Sequence, residues 1–132
     1  MTSRVASCRC GALQAACSGE PVRVSVCHCR ECQTRSGSAF AVQARWPEAD
    51  VAITGAFSEW SRTGDSGTRT TFRFCPTCGS TIGFVGERMP GMIAIPVGAF
   101  ADPGFPAPRI SVYEGHMHPW VAIVGDDIER YD

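Results

Sequence analysis

Seven of the eight cysteines fall into three short clusters whose spacing is typical of metal ligands. The clusters are Cys8-x-Cys10, Cys27-His-Cys29-x-x-Cys32 and Cys75-Pro-Thr-Cys78. The first and third together offer four thiolates, which is the closed ligand set of structural zinc sites. The second offers three, and catalytic zinc sites combine three protein ligands with an open position. The spacing therefore predicts two zinc ions per chain, one that supports the fold and one that supports chemistry.

Two other uses of the cysteines have to be weighed against metal binding. Eight cysteines could form four disulfides in a secreted scaffold, or some could act as redox-active thiols. However, residues 1–7 lack the apolar core of a secretory signal. A chain of 132 residues can also bury a core without covalent staples. The paired spacings favour metal binding, and we expect a cytoplasmic protein.

Composition excludes several classes of partner. The formal net charge is -1, so no basic stripe for nucleic acid is present, and no apolar run approaches the length of a membrane span. The length and the even composition predict a single domain over residues 1–132. The sequence leaves the oligomeric state open.

The ligand set of the three-cysteine cluster has alternatives. A fourth ligand could be Cys17 or a histidine, which would make this a second closed structural site. Cys17 lies on the same side of its predicted strand as the apolar residues Leu13 and Ala15. We therefore expect it to be buried as a small hydrophobic side chain. His28 stands between two ligands and is expected to point away from the same ion. His116 and His118 are candidate fourth ligands or proton-transfer groups.

The elements that must position these cysteines are short strands. A strand over residues 22–26 leads into Cys27, and a strand over residues 68–74 leads into Cys75, so both strand ends could meet at metal. Residues 29–35 favour a short helical turn closed by Gly37. Further strands are predicted over residues 11–18, 40–46, 51–53, 57–62, 81–85, 92–97 and 110–112, with an ordered surface loop over 98–108. This pattern predicts a mainly β, sandwich-like domain.

Arginines are the remaining candidates for substrate contact, because a guanidinium binds a carboxylate through two hydrogen bonds. Arg30 and Arg35 are of most interest through their closeness to the three-cysteine cluster, although each is otherwise a solvated residue. Three more candidates are Arg62, Arg69 and Arg73.

Several segments together resemble the glutathione-dependent formaldehyde-activating enzyme family. They are Cys8-Arg-Cys10-Gly-Ala, Val26-Cys-His-Cys-Arg-Glu-Cys-Gln, Ser36-Gly-Ser-Ala-Phe, Phe74-Cys-Pro-Thr-Cys-Gly-Ser and Pro119-Trp120. The resemblance spans roughly residues 5–125. It implies an Mss4-like β-tent of short antiparallel strands organised around zinc. Cys8, Cys10, Cys75 and Cys78 would hold the structural zinc, and Cys27, Cys29 and Cys32 the catalytic zinc.

The family's namesake reaction adds the thiol of glutathione to formaldehyde and gives S-(hydroxymethyl)glutathione. The resemblance thus implies a carbon–sulfur lyase whose partners are a small-molecule thiol and an aldehyde. A zinc ion that accepts a thiol lowers the pKa of that thiol, which suits this reaction. The competing hypothesis is a non-enzymatic two-zinc interaction module, or a carrier of thiols or zinc, since fold alone does not decide function.

Overall fold

The structure, a computed structural model, describes residues 2–132. Within them the chain forms eleven strands and one α-helix. The strands are β1 (Ser3–Ser7), β2 (Gln14–Ser18), β3 (Arg23–Cys27), β4 (Ala41–Pro47), β5 (Val51–Thr54), β6 (Ser58–Thr63), β7 (Arg69–Phe74), β8 (Thr81–Gly86), β9 (Met92–Pro96), β10 (Ile110–Val112) and β11 (Glu129–Arg130). The helix is α1 (Arg30–Ser36), and 3₁₀ helices span Glu48–Asp50, Val97–Phe100 and Glu114–His116.

The predicted mainly β fold is confirmed, with 41% of the chain in strands and 13% in helices. The short helix after Cys29 is confirmed as α1, which ends at Gly37 in the left-handed conformation. The strands that lead into Cys27 and Cys75 are also confirmed. The first and last strands, β1 and β11, were not predicted.

The strands form two sheets. The small sheet has the order β1-β2-β5 and the large sheet the order β11-β10-β3-β4-β9-β8-β7-β6. Most neighbours are antiparallel, as expected, but β10 runs parallel to both β3 and β11. Neither parallel pair is a hairpin, because residues 28–109 separate β3 from β10 and residues 113–128 separate β10 from β11, and parallel neighbours need such long connections.

The hydrophobic core lies between the small sheet and one face of the large sheet. The small sheet and its first loop contribute Ala6, Leu13, Ala15 and Cys17, and the large sheet contributes Val24, Ala44, Trp46, Ile82, Ile93 and Ile95. Trp46 is fully buried and donates its indole N–H to the Gly19 carbonyl at 3.0 Å. Cys17 is fully buried here, as the sequence predicted.

The loop over residues 98–108 closes one side of this core. Phe100 and Phe105 stack on each other with ring centroids 4.8 Å apart, and both contact Trp46. The Arg4 guanidinium lies 4.9 Å from the centre of the Phe105 ring. The predicted surface loop is therefore ordered by its aromatic side chains.

Residues that alternate with the core positions point to the other side of the large sheet, which we call the outer face. Directly paired residues lie on the same face of a sheet. The strand pairings therefore show which residues belong to the outer face. Its middle strands carry Arg23, Ser25, Cys27, Gln43, Arg45 and Ala94. The row then continues through Phe84, Phe72 and Trp60.

Helix α1 contacts this outer face. The Arg35 guanidinium lies 5.1 Å from the centre of the Phe84 ring, and Glu31 forms an ion pair with Arg62 at 3.1 Å. The end of β3, helix α1 and the outer face therefore surround the three-cysteine cluster.

Gly55 is the position at which the backbone tolerates a side chain least. Its φ is +101°, and an added Cβ would lie 2.1 Å from the Ala12 carbonyl oxygen, in the loop that carries Cys10. We expect Gly55→Ala to lower the free energy of unfolding by about 3 kcal/mol, from the left-handed backbone and from overpacking together. Urea unfolding of the metal-loaded protein measures it.

Gly67→Ala is the matched control, because Gly67 also has positive φ (+84°) but nothing near its added Cβ. A Gly55→Ala variant no less stable than Gly67→Ala would contradict the close approach to Ala12.

Candidate metal centres

The first candidate centre is the four-cysteine cluster, formed by Cys8, Cys10, Cys75 and Cys78. Their sulfur atoms all lie within 4.8 Å of one another. The sulfur of Cys10 is 3.7 Å from those of Cys8 and Cys75. A tetrahedral ion with metal–sulfur bonds near 2.3 Å would place its sulfur ligands about 3.8 Å apart. The spacing therefore fits a tetrahedral metal ion.

Two matching loops build the four-cysteine cluster. In the first, the Leu13 N–H donates to the Cys8 sulfur at 3.2 Å; in the second, the Cys78 N–H lies 3.5 Å from the Cys75 sulfur. Gly11 and Gly79 close the loops with φ of +84° and +81°. Left-handed backbone is accessible to glycine and lets the amides turn toward sulfur.

The environment of Cys78 favours its thiolate. A hydrogen bond with the Ser80 side chain, at 3.4 Å, contributes most, and backbone N–H groups of Ser80 and Cys10 add to it. Together they lower the pKa of Cys78 to about 5. At neutral pH this side chain is already in the form that binds metal.

The second candidate centre is the three-cysteine cluster, formed by Cys27, Cys29 and Cys32. Cys27 is the last residue of β3, Cys29 caps the N-terminus of α1, and Cys32 lies in its first turn. The Cys27 and Cys29 sulfur atoms are 3.3 Å apart, and all three lie within 4.8 Å of one another. The Cys29 sulfur accepts the Cys32 N–H at 3.4 Å. A strand end and a helix start therefore deliver three ligands to one point.

The close spacing of these three thiols gives them different pKa values. Hydrogen bonds from Cys27 and Cys32, then backbone N–H groups of Cys32 and Glu31, lower the pKa of Cys29 to about 2. The hydrogen bond to Cys29, then that to Cys32, and burial raise the pKa of Cys27. One thiolate forms readily, whereas three adjacent thiolates repel one another unless a cation lies between them. The chemistry of the donor set therefore fits a bound metal cation.

Among residues 2–132, no further cysteine, histidine or carboxylate side chain belongs to the three-cysteine cluster. Cys17 is in the core. The His28 ring turns away and pairs its Nε2 with the Ser111 hydroxyl at 3.0 Å. His116 and His118, the predicted alternatives, are also outside the cluster.

His118 is nevertheless held beside the cluster through Gln33, the residue after Cys32. The Gln33 side chain donates to the His28 carbonyl at 2.8 Å, and its Oε1 pairs with His118 Nε2 at 2.8 Å. Gln33 therefore fixes α1 to the end of β3 and to the C-terminal segment. No local sequence pattern indicates this contact, because its partners are 85 residues apart.

The predicted arginines do not all gather at the cluster. Arg62 and Arg73 pair with Glu31 and Glu59, whereas Arg30 and Arg69 are exposed. Arg35 lies over Phe72 and Phe84, although its charge still acts on Cys32.

Sequence reasoning missed Arg23 and Arg45, which lie directly opposite each other on the outer face. Burial, and then the Arg23 charge, lower the pKa of Arg45, while Cys32 and Cys27 act in the opposite direction. Each arginine occupies a polar position in the alternation of its strand, so the sequence indicates its face but not that the two arginines oppose each other.

Within residues 2–132, no helix combines the length and the apolar character needed to cross a membrane.

Comparison with known proteins places these clusters in a family. Residues 3–116 match the family model described as glutathione-dependent formaldehyde-activating enzyme. That match covers most of the 132 residues, so the chain belongs to this family, and the predicted resemblance is confirmed.

A solved structure supports the fold. The chain is similar to a Rhodobacter sphaeroides protein whose crystal structure was determined as a structural genomics target, with a TM-score of 0.58 and 21% sequence identity. The similarity covers 75% of this chain and 91% of that one. At this level of sequence identity, the similarity supports a shared fold and nothing more. No curated protein matches the chain in sequence.

The clusters predict the metal content. We expect elemental analysis and native mass spectrometry to find two metal ions per chain, and one in Cys29→Ser, because that substitution removes the ligand at the start of α1. Cys17→Ala is the control and should keep both ions, since Cys17 is buried away from either cluster. A single ion in the unmodified chain, or a loss in Cys17→Ala, would contradict the assignment.

Proposed function

We propose that residues 1–132 form one domain that acts as a zinc-dependent carbon–sulfur lyase. It adds a thiol, glutathione or a similar one, to formaldehyde or another small aldehyde. The observation that carries the proposal is the three-cysteine cluster, which offers three ligands and, within the described residues, no fourth. A zinc site with three protein ligands leaves a position for substrate. Membership of a formaldehyde-activating family supports the same reaction.

The two clusters take different roles in this proposal. The four-cysteine cluster, a closed set, holds structural zinc and joins the loop after β1 to the loop after β7. The three-cysteine cluster holds catalytic zinc. Thiolate-only, tetrahedral ligand sets are typical of zinc and of iron–sulfur centres, and the family's chemistry favours zinc.

The reaction is a balanced addition. The thiol sulfur forms a bond to the aldehyde carbon, the π pair of the carbonyl moves to oxygen, and the thiol proton ends on that oxygen. Zinc bound at the three-cysteine cluster supplies an electrophilic centre that lowers the pKa of a nearby thiol. No oxidant, reductant or other cofactor is needed.

Side chains around the three-cysteine cluster hold it in position and contribute positive charge beside it. The Gln33 contacts to His28 and His118 hold α1, so Cys29 and Cys32 keep their positions relative to Cys27. The Arg35 charge acts on Cys32, and Arg45 interacts with the charges of Cys32 and Cys27. Both effects favour an anionic sulfur nucleophile at this place.

The activity test is exchange NMR of glutathione with formaldehyde, with and without the zinc-loaded protein. We expect the protein to accelerate exchange over the uncatalysed background, and Cys32→Ser to return it to background while keeping the fold and one zinc. A folded, zinc-depleted Cys32→Ser variant that stays active would refute the catalytic assignment. No acceleration by the unmodified protein would favour the two-zinc interaction module or carrier.

The two clusters should differ in their effect on stability. We expect Cys78→Ser to prevent folding or to lower the Tm far more than Cys32→Ser. A structural zinc contributes about 10–16 kcal/mol of apparent binding free energy, comparable to the whole stability of a domain. Thermal unfolding followed by circular dichroism measures both variants. Equal losses of stability would contradict the division into structural and catalytic sites.

A further inference from the structure

A pocket opens on the outer face beside β4, β8 and β9. Its volume is about 120 Å³, and its lining includes Arg45, Arg88, Phe84, Met92 and Ala94. Arg45, Ala94 and Phe84 lie in one row across the three strands, and Arg88 belongs to the loop between β8 and β9. The pocket therefore combines two guanidinium groups with apolar side chains.

The positive charge of this pocket has no acidic partner. Neither Arg45 nor Arg88 takes part in the ion pairs that residues 2–132 form. Arg23, directly opposite Arg45 on β3, adds a like charge and is also outside those ion pairs. Like charges opposite each other destabilise a sheet, and the partial burial of Arg45 adds to the cost. An anion in the pocket would reduce both costs.

The volume and lining of the pocket limit the kind of anion. A water molecule in the liquid occupies about 30 Å³, so the pocket volume of about 120 Å³ holds about four to six non-hydrogen atoms. Phe84, Met92 and Ala94 favour a carbon skeleton over a hydrated inorganic ion. A guanidinium binds a carboxylate through two hydrogen bonds. Size, lining and charge together favour a small carboxylate.

Arg45 connects the pocket to the three-cysteine cluster. Its guanidinium donates to the Ser25 hydroxyl at 3.1 Å, and Ser25 precedes Cys27 by two residues on the same face of β3. That places the guanidinium about 7 Å along the strand from Cys27. The Arg35 guanidinium of α1 lies over the Phe84 ring, which lines the pocket. A carboxylate in the pocket would therefore lie beside the reacting groups of the proposed function.

We infer, resting on the proposed function, that the carbonyl substrate is a small 2-oxo acid whose carboxylate binds Arg45 and Arg88 in this pocket. Formaldehyde is uncharged and has a single carbon, so it uses neither the volume nor the arginines. Glyoxylate, an aldehyde with a carboxylate on the adjacent carbon, uses both. The addition itself is unchanged: the thiol sulfur bonds to the carbonyl carbon, the π pair moves to oxygen, and the thiol proton ends on that oxygen.

The dimensions agree with a carboxylate on the carbon next to the carbonyl. The path from a guanidinium nitrogen, through the carboxylate and the carbonyl carbon, to a sulfur poised to attack is about 8 Å when fully extended. The distance along β3 from the Arg45 guanidinium to Cys27 is about 7 Å. The two lengths agree, because the path bends at each atom. Each further carbon between carboxylate and carbonyl would lengthen the path beyond this distance.

The binding test uses oxamate, which has the shape of a small 2-oxo acid but an amide carbon that thiols do not attack. NMR titration of the isotope-labelled, zinc-loaded protein at constant ionic strength should show binding and shift the Nε–H signals of Arg45 and Arg88. We expect the Kd to rise about 10- to 100-fold in Arg45→Gln, because charge-assisted hydrogen bonds are lost. The uncharged diamide, oxamide, should bind the unmodified protein equally weakly. No oxamate binding, or oxamide binding as tight as that of oxamate, would overturn the inference.

Two further variants control for folding and for net charge. Arg88 is exposed, so Arg88→Gln should weaken oxamate binding without disturbing the sheet. Arg69→Gln is the matched control, because it removes the same charge from an exposed position on β7 whose side chain alternates with the outer face. Its affinity for oxamate should not change, and a loss equal to that of Arg45→Gln would overturn the inference. Circular dichroism checks that each variant folds.

Kinetics separate this inference from the proposed function. In the exchange assay with glutathione, Arg45→Gln should lower the ratio of kcat/KM for glyoxylate to that for formaldehyde about 10- to 100-fold. The ratio cancels any effect of Arg45 on the thiol, and Arg69→Gln should leave it unchanged. An unchanged ratio in Arg45→Gln, or acceleration with formaldehyde alone, would overturn the 2-oxo acid assignment and keep the proposed function. Arg45-dependent binding of oxamate without acceleration of either addition would overturn the proposed function and keep the carboxylate site.

Discussion

The structure is organised around two groups of clustered cysteines, whose thiolates would repel one another unless a cation is bound between them. Seven of the eight cysteines gather in two clusters, and none of the eight is in a disulfide. The four-cysteine cluster links the loop between β1 and β2, in the small sheet, to the loop between β7 and β8, in the large one. Without a cation at that point, neighbouring thiolates would push apart the two layers that enclose Trp46. Core packing and metal binding would therefore be coupled: the hydrophobic layers bring the sulfurs within 4.8 Å, and a bound ion would hold the layers together.

The two faces of the large sheet divide the work between stability and chemistry. Along β3 and β4, one parity places Val24, Ala44 and Trp46 in the core, and the other places cysteine, serine, glutamine and arginine on the outer face. The strand period of two makes this division strict, so a slip of one residue in register would exchange the faces. A rigid, well-packed inner face thus fixes the positions of the outer residues. Packing of Trp46 against Phe100 and Phe105 is in this sense part of the site, although it is on the opposite side of the sheet.

Local features were predictable from the sequence, and long-range ones were not. The cysteine spacings, the strands that enter Cys27 and Cys75, and the helix after Cys29 follow from neighbouring residues, and the structure contains all of them. The parallel pairing of β10 with β3 and the Gln33–His118 contact join distant parts of the chain, for which periodicity carries no information. Arg23 and Arg45 were missed for the same reason: each is an ordinary strand arginine in sequence, and only the β3–β4 register shows that they oppose each other.

The arginine pair of β3 and β4 affects the balance of charge near the three-cysteine cluster. Three thiolates around one divalent cation would keep a net charge of about −1, so a further anion would approach a site of its own sign. Arginines bound directly to the sulfurs would relieve that repulsion, but they would also compete with the cation for its ligands. Arg45 instead donates to the Ser25 hydroxyl, two residues before Cys27. At about 7 Å a half-buried guanidinium still offsets part of the negative charge of the cluster, because solvent screens it only partly. At this distance Arg45 does not compete with a metal ion for the three sulfur atoms.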